Sequence, residues 1–143
     1  MTGITTTKVE AKIGAVIWSD RKNYQIKSIS DGLLGATLFQ TKHYIWPATM
    51  SIDSNRDAEI FIALHIADDR DGGLMEALPA DGWTLKSGWH LDGTGNKLNK
   101  VWSKNIKAGE TITFTSTKNQ LTFAILIKEG NDSACFIKVV TKT

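Results

Sequence analysis

Residues 58–127 hold the stretch that decides the fold. It runs AEIFIALHI (58–66), ADDRDGG (67–73), LPADGWTLKSGWHL (78–91), KVWSK (100–104), AGETITFTS (108–116) and LTFAILIK (121–128). Hydrophobic segments of strand length alternate with turns rich in Asp and Gly. In the first segment Ile60, Ile62 and Leu64 alternate with Phe61 and Ala63, so the strand is apolar throughout and both faces read as buried. Phe123, Ile125 and Ile127 make a second run of the same kind. Ile112 and Phe114, by contrast, alternate with Thr111, Thr113 and Thr115, the pattern of a strand with one wet face.

The same reading extends outward. Val9, Ala11 and Ile13 alternate with Glu10 and Lys12, and Tyr24 and Ile26 with Gln25 and Lys27. Turn chemistry separates the runs at 19–23, 30–32, 71–73, 92–96, 107–109 and 130–132. The one helix expected spans 73–78 and is stopped by Pro79. There is no threefold repeat of the kind a β-trefoil needs. The expectation is an all-β fold: a two-sheet antiparallel β-sandwich of jelly-roll type, with eight to ten strands and at most one short helix. At 143 residues the chain reads as one binding domain, 1–143.

Bulk charge narrows the function. Seventeen basic and 15 acidic residues are interspersed, net charge is +2, and no basic stripe marks a nucleic-acid partner. No charged-then-apolar leader and no long apolar stretch is present, so neither a signal peptide nor membrane insertion is expected. A cytoplasmic or non-classically secreted protein follows from that reading. Cys135 is the single cysteine and reads as a small buried hydrophobe within ACFIKVV.

The spacing of several residues resembles a known family. Asp20-Arg21-Lys22-Asn23-Tyr24-Gln25-Ile26 is followed by Leu34-Gly35-Ala36 and Thr41, then by the strand at 60–63 with its Asp69-Arg70 turn. Leu78-Pro79, Trp83, Lys104 and Ala108-Gly109-Glu110 complete the order. This resembles the accessory jelly-roll domains of bacterial polysaccharide-degrading enzymes, of the galactose-binding-like β-sandwich type. The resemblance implies a β-sandwich and glycan binding. Those domains continue after Ala-Gly into a Gly-Gly-Asn-like turn, where this chain has Ser116-Thr117-Lys118-Asn119.

Five tryptophans supply the aromatic surface. A sugar offers a patch of C–H groups that packs on an aromatic face, and hydroxyls that need directional polar partners. Trp18 and Trp102 lie in apolar or alternating contexts and read as core. Trp46, Trp83 and Trp89 lie among glycines, histidines and acids and read either as stacking faces or as plugs at the ends of the sandwich. Asp68, Asp69 and Asp71 surround Arg70 and admit three readings: a Ca²⁺ site, a ligand contact, or a solvated turn. The EF-hand spacing is absent.

The site expected from these features joins His65, Asp69 and Arg70 to Trp83, Trp89 and His90, with Trp46 in reserve. Its ligand is a glycan or oligosaccharide, bound without a cofactor by a homo-oligomer whose repeated sites raise avidity. No catalytic spacing is evident, so a non-enzymatic protein is expected. Two alternatives stand beside it: an assembly protein joined through exposed aromatics, and a small polysaccharide-active hydrolase or lyase using Asp, His and Arg.

Overall fold

The computed structural model describes residues 7–43, 49–54, 56–118, 120–129 and 138–142. Along the chain the elements are β1 (Thr7–Glu10), β2 (Val16–Trp18), β3 (Arg21–Ile29), β4 (Thr37–Gln40), β5 (Thr49–Asp53) and β6 (Ala58–Leu64). A single 3-10 turn (Asp68–Arg70) and α1 (Leu74–Ala80) follow. Then come β7 (Thr84–Leu85), β8 (Leu91–Gly93), β9 (Asn96–Leu98), β10 (Lys100–Ile106), β11 (Thr111–Thr115), β12 (Phe123–Glu129) and β13 (Lys138–Lys142).

The protein is all-β, its sheets are antiparallel, and it carries the one short α-helix expected. Strands number thirteen among the described residues, more than the eight to ten expected. The surplus is short. β7, β8 and β9 have two or three residues each and come from the tryptophan- and glycine-rich 83–98 segment, where hydrophobic periodicity gives no strand signal.

Three hydrogen-bonded sheets form. The largest has the order β1-β4-β12-β6-β10-β7, the second β11-β5-β13, and the third β2-β3-β8-β9. Alternation along β6 and β12 explains how they stack. Ile60, Ile62, Leu64, Phe123, Ile125 and Ile127 point to one side, where they meet Met50 and Ile52 of β5 and Ile112 and Phe114 of β11. Phe61, Ala63, Ala124 and Leu126 point to the other, against Ile17, Trp18, Ile26, Leu91 and Leu98 of the four-stranded sheet. The two fully apolar strands are therefore buried on both faces, as their composition demands. The architecture is an all-β sandwich whose central sheet carries a layer on each side.

α1 closes one side of the first core through Leu74 and Leu78. Pro79 sits in its last turn, and the chain leaves the helix two residues later, since a proline contributes no N–H to continue the ladder. The turn before the helix is glycine-dependent. Gly72 and Gly73 have φ of 61° and 82°, and a Cβ on either would crowd Ser116 or Thr117 at 2.8 Å. The carbonyl of Gly72 accepts from Thr117 N at 2.9 Å, which clamps this turn to the segment after β11. No helix among the described residues is long and apolar enough to cross a membrane.

Candidate functional site

The expected site separates into two. His65, Asp69 and Arg70 gather at one end of the β8–β9 hairpin. Trp89 and His90 precede β8 at the other end, and Trp83 joins neither.

Trp83 is a correction. It is 4% exposed and packs edge-on against Phe114, with ring centroids 6.3 Å apart. The chain leaves α1, Trp83 N donates to Leu78 O at 3.1 Å, and the ring is thereby turned into the first core. It has no free face for a sugar. Trp18 and Trp102 are buried as expected. Trp18 Nε1 donates to Phe123 O at 2.8 Å, and Trp102 Nε1 contacts Met75 Sδ at 3.4 Å, so both indole donors have acceptors. Trp46 lies outside the described residues, as do Tyr44 and Cys135.

Trp89 is partly buried. Its ring stacks on Phe61 with centroids 5.7 Å apart and an interplanar angle of 29°. Gly32 makes room for it, since a Cβ there would overlap the indole. Lys86 Nζ stands 5.4 Å from the ring centroid, a cation–π distance. His90 acts as a strut. Its Nε2 meets Ser28 Oγ at 2.7 Å, its Nδ1 meets Ser30 Oγ at 3.2 Å, and its backbone N donates to Ser30 Oγ at 2.8 Å. Both ring nitrogens are thus engaged, and His90 holds β8 to β3 instead of reaching outward.

Beside Trp89 and His90 lies an open depression of about 460 Å³, completed by Gly88, Asp92, Lys97 and Asn99. β8 and β9 create it by alternation. Leu91, Gly93, Asn96 and Leu98 face inward and are buried, so Asp92 and Lys97, paired in register, face outward. Asp92 Oδ1 is shielded from solvent and has no hydrogen-bond partner among the described residues. A desolvated carboxylate oxygen without a donor is costly, about 1–3 kcal/mol or more.

The second cluster forms where the chain leaves β4, β6 and the β8–β9 hairpin. Ile66 N donates to Lys97 O at 2.9 Å, drawing the residues after β6 onto β9. His65 is thereby set close to Asn96. Asn96 Nδ2 donates to Thr94 O at 3.0 Å, which turns its Oδ1 toward His43 Nε2, 3.4 Å away. His65 Nδ1 accepts from Ala67 N at 3.0 Å, so the neutral ring carries its proton on Nε2. Trp18 and Tyr24 wall His43 edge-on, with centroids at 4.6 and 5.3 Å.

Both imidazoles are biased toward the neutral form. Burial lowers the pKa of His43 most, and Arg21 and Arg70 add to it against Asn96 and Asp20. Burial also leads for His65, followed by Arg70 and His43, with Asp69 and Asn96 opposing.

Asp71 does not face this cluster. Its Oδ1 accepts from Gly73 N at 3.0 Å within its own turn. Among the described residues no three His, Cys, Asp or Glu side chains converge as a metal site would require.

Sequence reasoning missed His43, Tyr24 and Asn96 in one cluster and Asp92, Lys97 and Asn99 in the other. In sequence Asp92 reads both as a turn former and as an acid beside Trp89, whereas Asn96 reads only as a turn former. The outward alternation of Asp92 and Lys97 about a Gly-Thr-Gly turn was the available signal for the depression. Nothing in the sequence links His43 to Asn96, 53 residues away. Comparison with protein-family models, with curated proteins and with solved structures finds no match to this chain.

Proposed function

We propose that this protein binds carbohydrate in the depression framed by Trp89, Asp92, Lys97 and Asn99. The observation that carries the reading is the open depression in which the indole of Trp89 and the carboxylate of Asp92, one oxygen of which has no hydrogen-bond partner among the described residues, lie together. A sugar supplies what both lack: hydroxyl donors for the carboxylate and C–H groups for the ring. Lys97 and Asn99 add donors around the rim, and His90 with its two serines keeps the floor rigid. The resemblance to glycan-binding accessory domains supports the same ligand class. Such an open site is weak alone, and self-association that repeats it belongs to the proposal.

The assembly alternative has less to stand on. Trp18, Trp83 and Trp102 are buried and Trp89 is partly buried, so no described indole is exposed enough to join subunits. The large exposed apolar residues are the aliphatics Ile13, Leu34, Ile66 and Leu85.

A glycan array followed by calorimetry on the best ligand tests the proposal. Asp92→Ala should weaken binding by roughly 10- to 100-fold, the value of a charge-assisted hydrogen bond. It should leave the melting temperature unchanged or raise it, because an unsatisfied buried atom is removed. An array with no saccharide bound, or full affinity in the variant, would sink the idea.

A further inference from the structure

The central sheet is longer than the layer that covers its second face. On that face Phe61 and Leu126 lie in the core, whereas the next residues along, Glu59 of β6, Asn105 of β10 and Lys128 of β12, are half-buried or exposed. Register sets Glu59 directly between Asn105 and Lys128. The three make one polar row across three strands. An open depression of about 520 Å³ lies at this row and is lined also by Asp57, Ala58 and Lys107.

Its polar groups are only partly engaged. Asp57 Oδ1 accepts from Ala108 N at 2.9 Å, and Glu59 Oε2 stands 3.9 Å from Lys86 Nζ. The side chains of Asn105, Lys107 and Lys128 have no hydrogen-bond or ion-pair partner among the described residues. Two carboxylates, two ammonium groups and an amide therefore line one depression, a mixture of acceptors and donors that suits sugar hydroxyls. The opposite charges of the lining balance, which favours a neutral ligand over an ion. Lysine stems add C–H surface below their charged ends.

Lys86 connects this depression to the one beside Trp89. Its Nζ stands 5.4 Å from the Trp89 ring centroid as well as 3.9 Å from Glu59 Oε2. Trp89 lines the first depression and Glu59 the second. Trp89 also stacks on Phe61, which shares its face of β6 with Glu59. One ammonium thus bridges the ridge between the two.

We propose that the two depressions form one extended cleft for an oligosaccharide, whose chain passes Trp89 and Lys86 and sets a further sugar over Glu59, Asn105 and Lys128. The inference rests on the carbohydrate reading above and adds to it the length and the neutral character of the ligand.

The test is calorimetry on the full chain with linear β-linked gluco-, manno- and galacto-oligosaccharides, each from the monosaccharide to the hexasaccharide. In the series that binds best, affinity should rise about tenfold or more with length and then level off. Asn105→Ala combined with Lys128→Met should remove most of that gain, leave the monosaccharide affinity unchanged and keep the urea midpoint of the parent. Asp92→Ala should weaken every member of the series. The side-chain amide resonances of Asn105 should move with the hexasaccharide and stay in place with the monosaccharide. Affinity independent of length, with binding still sensitive to Asp92→Ala, overturns the extended cleft alone. A length dependence that survives in the double variant overturns it too. Binding of no saccharide overturns the carbohydrate reading as well, and so does full hexasaccharide affinity in Asp92→Ala.

Discussion

The two faces of the central sheet are built differently. Toward β5 and β11 it presents Ile60, Ile62, Leu64, Phe123, Ile125 and Ile127, and this core is sealed by α1, Trp83 and Trp102. Toward the four-stranded sheet, Ala63 and Ala124 take the places of large residues, and the indole of Trp18 lies in the same core. Both polar clusters lie on this second side: His43, His65 and Asn96 at one end, Trp89 and Asp92 at the other. One face carries bulk, and the other accommodates rings and polar groups. The lesson is that the small residues of β6 and β12 make space for the layer that bears the sites.

Substitutions can break that comparison. The largest effect is expected from Ile62→Ala, which opens a cavity in the first core. It should cost about 2–5 kcal/mol in urea unfolding, with the Asp92 depression untouched in ligand titrations. Ala63→Leu forces extra volume into the second core near Trp18. A loss of about 1–3 kcal/mol is expected, with a shift in tryptophan emission; a neutral result would mean that this face is not tightly filled.

Ser28→Ala removes one of the two hydroxyls that hold His90. Stability should fall by about 1 kcal/mol, and affinity for saccharide should drop as the floor of the depression loosens. Undiminished affinity would show that His90 needs only Ser30.

The smallest effect concerns pH. The folded values of His43 and His65 lie below the ordinary imidazole value. In the window between, the unfolded chain binds protons that the folded chain does not. Stability is therefore full above about pH 6.5 and falls as the pH drops below it. His65→Asn keeps an acceptor for Ala67 N and removes one titrating ring. Urea midpoints at pH 7.5 and 5.0 should differ less in this variant than in the parent; an unchanged difference would move the effect to other groups.

Much of the fold was legible in the chain. The unbroken apolar runs of β6 and β12 signalled burial on both faces, and the alternation of Ile112 and Phe114 with threonines signalled one wet face. The outer face of β5 and β11 carries the matching ladder, with Thr49–Thr115 at 3.1 Å and Ser51–Thr113 at 3.3 Å. The helix was readable from 73–78, though it starts one residue later and runs one residue past Pro79, to Ala80.

The sites were only half legible. Arg70, His65 and Asp69 are near one another in sequence as well as in space. Trp83 misled because a tryptophan after Asp-Gly reads as a loop residue, while a backbone bond to Leu78 folds it under the helix. His43 meets Asn96 only through register. The β6 extension bonds to β9, and no local pattern encodes which loops a strand order brings together.

Trp18 has a consequence for spectroscopy. It reports from the second core, whereas Trp83 and Trp102 report from the first, and Trp89 from the rim of a depression. Each core therefore carries an intrinsic fluorophore. Variants that keep one indole at a time would let the docking of each outer sheet be timed separately during refolding, with no label attached.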